Sequence, residues 1–187
     1  MSTAAATATP TSTRTTWKID ASHSQVEFAV RHLMISTVRG RFADVKGTVI
    51  TDGEDPAKGG VDVVIEVNSI DTREAQRDAH LKSADFFDVE TYPTVTFKST
   101  RVTEVRGDKF TLAGDLTIHG VTRDVTLDVT SEGTAKDPWG GERAGYSAVT
   151  RVNRKDFGLT WNQALETGGL IVGDEIKISL DLELIKE

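Results

Sequence analysis

Asp71-Thr72-Arg73-Glu74-Ala75-Gln76-Arg77-Asp78-Ala79-His80-Leu81-Lys82-Ser83-Ala84-Asp85-Phe86-Phe87-Asp88-Val89 is the only long stretch of this chain that reads as helical. The sequence around it alternates apolar and polar residues in strand fashion. An isolated helix in an all-β chain cannot form a second layer of core, because a layer needs several elements to bury its apolar stripes. It is expected instead to lie across or beside a β-structure and close one end of it. That predicts a barrel with something inside. Asp71 followed by Thr72 reads as the helix N-terminus, where a side-chain oxygen accepts an orphan amide proton. Phe86 and Phe87 are expected to seal the barrel edge or line its mouth.

Outward from this segment the period is two residues. Val26, Phe28, Val30 and His32 share one face of a strand; Val61, Val63, Ile65 and Val67 share another. Val95 and Phe97 face one way after Pro93. Phe110, Leu112, Gly114, Leu116 and Ile118 alternate, and His119-Gly120 then supplies a tight hairpin turn. Val121, Val125, Leu127 and Val129 run back, and Ile176, Ile178, Leu180, Leu182 and Leu184 give the cleanest alternation. These patterns predict strands over about 17–34, 38–51, 60–68, 93–101, 108–119, 121–132, 145–155 and 174–186. Joined by short turns, they suit an all-β, up-and-down antiparallel barrel with one short helical insert. Eight tilted strands enclose space for side chains or for one small ligand; a two-sheet sandwich is the alternative.

At 187 residues the chain suits one domain, and 37% hydrophobic residues suffice for a core. The net charge of −7 would repel a nucleic-acid backbone, so no nucleic-acid partner is expected. The absence of cysteine excludes disulfides, thiolate catalysis and thiolate zinc sites. Residues 1–16 form an Ala/Thr/Ser run with Pro10 and one charge, Arg14. They have neither the basic start nor the apolar run of a secretory signal, and are read as a disordered tail on a cytoplasmic protein. No window approaches a membrane span of about 20 apolar residues.

The four histidines, His23, His32, His80 and His119, show no i, i+2 or i, i+4 pairing, so no metal site is expected. His32 lies on an apolar face, either as a core histidine satisfied by a neighbouring hydroxyl or carbonyl or in contact with a ligand. Arg77, Asp78 and His80 could suggest catalysis. Charges at a helix–barrel seam more often form ion pairs and backbone hydrogen bonds that fix the helix. No Gly-x-Ser-x-Gly elbow, phosphate-cradling loop or dinucleotide fingerprint occurs, so neither catalytic residues nor a cofactor are expected.

The residues also resemble a known family. Trp17-Lys18-Ile19-Asp20-Ala21-Ser22-His23-Ser24, Arg39-Gly40-Arg41-Phe42 and Ser69-Ile70-Asp71-Thr72 are similar to the YceI-like polyisoprenoid-binding proteins. So are Arg77-Asp78-Ala79-His80-Leu81-Lys82-Ser83, Tyr92-Pro93-Thr94-Val95-Thr96-Phe97, Gly114-Asp115-Leu116-Thr117-Ile118-His119-Gly120 and Arg154-Lys155-Asp156-Phe157-Gly158-Leu159. The resemblance spans residues 17–187 in order. It implies a lipocalin-like eight-stranded barrel around an apolar tunnel for a long isoprenoid chain, such as a prenyl quinone or polyprenyl phosphate. Many members carry a secretory signal, from which this chain departs. The residues expected to line the tunnel, or the core around it, are Phe28, Val30, His32, Phe42, Val63, Ile65, Phe86, Phe87, Phe97, Leu112, Leu116, Ile178 and Leu180. A homodimer would cover strand edges and the tunnel mouth. Two other readings stay open: a stress-related enzyme or electron-transfer accessory, and a structural barrel with a filled interior.

Overall fold

A computed structural model of the chain describes residues 14–53, 55–166 and 168–187; of the expected tail, 1–13 lie outside the described residues. The strands are β1 (Arg14–Ile19), β2 (Gln25–His32), β3 (Ser36–Phe42), β4 (Val45–Asp52), β5 (Asp55–Glu66), β6 (Ile70–Asp71), β7 (Thr94–Arg106), β8 (Lys109–Ile118), β9 (Val121–Lys136), β10 (Glu142–Asn153) and β11 (Val172–Lys186). The helix α1 spans Ala75–Lys82. Neighbours pair antiparallel in the order β1-β4-β5-β7-β8-β9-β10-β11, and β11 pairs back to β1. The result is a closed eight-stranded antiparallel barrel.

Two of the eight expected strands, 17–34 and 38–51, are broken rather than continuous, and a third break falls at the end of the strand expected over 60–68. The first breaks at Asp20, whose carboxylate accepts from Ser22 N (3.0 Å) and Ser22 Oγ (2.6 Å) and folds the chain into a turn. β11 runs straight past this break, pairing with β2 up to Asp181 and with β1 from Leu184. Ser24 bridges the gap in the ladder, donating to Glu183 O and accepting from Glu183 N. A second break at Ala43–Asp44 separates β3 from β4. A third, a short 3-10 turn at Val67–Ser69, separates β5 from β6. Arg14, Thr15 and Thr16, read from sequence as the end of the tail, instead pair with Asp52, Thr51 and Ile50. Their threonines suit a strand, and the first strand thus starts earlier than its apolar pattern indicates.

The helical segment is shorter than its composition suggests. Asp71 belongs to β6, opposite Arg41, and is not the cap. Arg73 takes φ +62°, which separates strand from helix. The cap is Glu74, whose carboxylate accepts from Gln76 N (3.1 Å) and Arg77 N (2.6 Å). Arg77 and Asp78 then grip the buried Thr72 from both sides. Thr72 donates from N (2.9 Å) and Oγ1 (2.5 Å) to Asp78, and Arg77 donates to Thr72 Oγ1 (2.8 Å) and Thr72 O (2.9 Å). These charges fix the helix to β6, as a helix–barrel seam requires.

Inside the barrel, two glycines make room for rings. A Cβ on Gly40 would collide with the Phe28 ring, and one on Gly114 would lie 2.5 Å from both Lys98 O and Phe97 Cζ. Substitution Gly114→Ala is expected to cost about 1–3 kcal/mol through overpacking. Gly60→Ala, where a Cβ meets nothing within 4 Å, should stay within about 0.5 kcal/mol of the parent. Urea denaturation midpoints of the two variants check the pair; equal losses would mean the Gly114 crowding relaxes freely.

Candidate ligand cavity

The inward side of every barrel strand is apolar, and the side chains do not fill the space between them. The cavity offers about 250 Å³ to the centre of a water molecule, roughly twenty times what one buried water needs. Phe28, Val30, Phe42, Val63, Ile65, Phe86, Phe87, Phe97, Leu112, Leu116, Ile178 and Leu180 all line it. His32 does not. It shares the parity of Phe28 and Val30, but β2 ends there and the chain turns through Leu33 and Met34 at positive φ, carrying His32 past the cavity end.

One end of the cavity is closed by α1 and the turn after it. Leu81, Phe86 and Phe87 all face inward. Phe87 meets Phe42 edge-on (6.0 Å between centroids), and Phe42 packs on Phe28 (5.7 Å). Phe86 lies 5.2 Å from Trp161, and His80 stands edge-on to both rings. His80 Nε2 is 2.8 Å from Asp85 Oδ2, which holds the turn that presents Phe86. Toward the opposite end Trp17, whose Nε1 donates to Thr51 Oγ1 (3.0 Å), packs with Leu184 and Ala144 behind the lining residues Val49, Tyr146 and Leu182.

Exposed Glu27 apart, the polar lining groups turn their polar atoms to the protein. Thr150 Oγ1 donates to Thr126 O (2.7 Å), and Tyr146 bonds to Ser131 while burial pushes its hydroxyl pKa up. Arg154, 3% exposed, donates to Leu159 O, Trp161 O and Gly173 O at 2.8–2.9 Å and ion-pairs with Asp174. Burial lowers its pKa against the pull of Asp174. Sequence reasoning missed this residue. Its signal was there, since Arg154 continues the inward parity of Ala148, Thr150 and Val152 on β10, and an arginine on an apolar face needs carbonyls to hold it. Among the described residues the wall carries no histidine, aspartate, lysine or serine. Its chemistry is that of a container for an apolar molecule.

A family model for the YceI-like domain matches residues 17–184. The chain belongs to the YceI-like family. Protein YceI of Salmonella newport (strain SL254) is 43% identical over 146 residues, covering 77% of this chain and 76% of that protein. The crystal structure of Burkholderia cenocepacia BcnA superposes with a TM-score of 0.76 at 27% identity, over 88% of this chain and 98% of that one. A polyisoprenoid-binding domain from Saccharophagus degradans, implicated in plant cell wall breakdown, shares the fold with a TM-score of 0.65 at 18% identity, over 91% of this chain and 98% of that domain.

Outside this YceI-like cavity, the kink at Asp20 gathers a cluster that no sequence spacing announces. Asp20, His23 and Glu183 place potential ligand atoms within 4.8 Å of one another. Arg143 already occupies the cluster, donating to Asp20 (2.8 Å) and Glu183 (2.5 Å) from one nitrogen and to Asp137 (3.2 Å) from another. A resident guanidinium explains the acids without a metal ion. The Ser22 hydroxyl, then His23, with Arg143 behind them, hold the Asp20 carboxyl well below the usual carboxylate range. The same Asp20 carboxylate raises the pKa of His23. Asp20 therefore stabilises the fold above its ordinary pKa of 3.8 and loses that effect as pH falls. His23 contributes below its ordinary pKa of 6.5 and loses its contribution as pH rises through the raised value. The stability gap between the parent and Asp20→Asn should be widest between about pH 4 and 6.5 and narrow on either side. Denaturation at a series of pH values checks this; a gap that keeps widening above pH 7 would contradict the pairing of His23 with Asp20.

Proposed function

We propose that this YceI-like protein holds a long apolar chain, an isoprenoid lipid such as a prenyl quinone or polyprenyl phosphate, without altering it chemically. The observation that carries this reading is the unfilled apolar interior, whose polar groups, exposed Glu27 apart, turn back to the protein. The polyisoprenoid-binding role of the Saccharophagus degradans domain supports the choice of lipid, and the apolar wall supports it independently. Burial of each methylene contributes roughly 0.8 kcal/mol, so one five-carbon isoprene unit contributes on the order of 3–4 kcal/mol. Three or four buried units then reach micromolar affinity or tighter after the losses of association. A catalytic role would need a base and a nucleophile converging on the chain, and no lining side chain supplies such a pair.

Organic extraction of the purified protein followed by mass spectrometry should recover a co-purified prenyl lipid. Charge placed in the wall separates a container from a filled core. Phe97→Glu or Ile178→Lys sets an ion beside the ligand chain, where an unpaired charge costs several kcal/mol. Water entering the empty cavity hydrates that ion and blunts the folding cost. The expected variant is folded by melting curve and devoid of lipid. A folded variant that retains lipid would move the binding site elsewhere, and one that never folds would favour a structural interior.

A further inference from the structure

We infer that the long chain enters and leaves sideways, through a seam in the barrel wall between the first half of β5 and the second half of β7. This inference rests on the binding role proposed above. The β5–β7 ladder covers only Asp62–Glu66 against Thr94–Lys98. One more link follows, Val61 N donating to the Ser99 side chain at 2.8 Å. Past it, among the described residues, β5 pairs only with β4 and β7 only with β8. Beyond this link the facing edges of β5 and β7 carry no ladder among the described residues.

The sequence accounts for the opening. Pro56 lacks the N–H a ladder would use, and Gly59 and Gly60 bring no side chains to fill the slot. Register shifts between Ile50 and Asp52 on β4, and between Ser99 and Arg101 and again between Thr103 and Arg106 on β7, turn the two edges away from each other. The cavity reaches this seam, because Pro56, Gly59 and Gly60 on one side and Val102 and Phe110 on the other all line it. A Cβ on Gly60 would meet nothing within 4 Å. The unpaired edges therefore lie beside an apolar interior.

The two ends of the barrel are closed far more firmly. Passage by α1 would break the hydrogen bonds gripping Thr72 and expose Phe86, which is 8% exposed. Passage at the other end would displace Trp17 and break its bond to Thr51. At the seam, past the Val61–Ser99 link, no β5–β7 ladder hydrogen bond stands in the way. Local opening follows the weakest set of contacts, and here that set lies in the wall.

The chain has no cysteine, so two introduced thiols form a unique pair. Ala57 on β5 and Thr103 on β7 lie on the two strands that flank the seam, each five residues beyond the last ladder pair, Asp62 and Lys98; both are exposed, and neither lines the cavity. Ala57→Cys with Thr103→Cys, bridged by a reducible bifunctional thiol linker, straps the seam shut. The probe is a fluorescent polyprenyl alcohol delivered from phosphatidylcholine vesicles. Strapping should slow uptake and release together by roughly tenfold or more and leave the equilibrium affinity unchanged, because a raised barrier acts on both rates alike. Reducing the linker should restore both rates. Gly60→Leu, which needs no linker, should also slow uptake by narrowing the slot. Parent-like exchange in the strapped protein overturns the lateral route while leaving the binding role standing. A parent protein that takes up no probe overturns the binding role, and the route with it.

Discussion

β11 holds β10 along one edge while β1 and β2 share the other, and through that shared edge the sheet closes on itself. Where its strands pair, a closed sheet satisfies its backbone groups and leaves no free edge for aggregation. Closure also divides every strand into an inside and an outside, and the inward side chains leave the space between them unfilled. The kinks at Asp20, Ala43 and Val67 are how the first three strands follow the curvature. The Arg143 cluster, the Ser24 bridge and the cap at Glu74 are local repairs where the curving ladder is interrupted.

The alternation of apolar residues was enough to read the barrel and most of its lining. A period of two assigns each residue to a face without any knowledge of its partner strand, so Phe97, Leu112 and Ile178 could be placed inside from sequence. The same period does not show where a strand stops. His32 has the right parity and the wrong height, because the turn at Leu33 and Met34 is set by tertiary fit with Ile171 rather than by a breaker residue. The helix was overextended for a related reason. Asp71-Thr72 has the composition of a cap, but Asp71 had already been claimed by β6.

Other features were not legible because their partners are remote in sequence. Arg143 lies 123 residues from Asp20 and meets it only after the barrel closes. Arg154 was visible as part of a family-like motif, but its role as a buried clamp on the 159–173 segment depends on carbonyls that no pattern reveals. The missing ladder between β5 and β7 is similar. Pro56 and Gly59-Gly60 announce no missing ladder until both neighbouring strands are in place.

The unfilled interior has a mechanical consequence as well as a chemical one. Empty space held open by a protein wall is volume that unfolding eliminates, so compression favours the unfolded chain in proportion to the void. Phe28, Phe42 and Phe87 brace one side of that space against one another, yet nothing spans its middle. A lipid threaded through it would act as a strut and replace compressible emptiness with close-packed hydrocarbon. Hydrostatic pressure, more than heat, is therefore the condition under which the empty and the occupied barrel differ most.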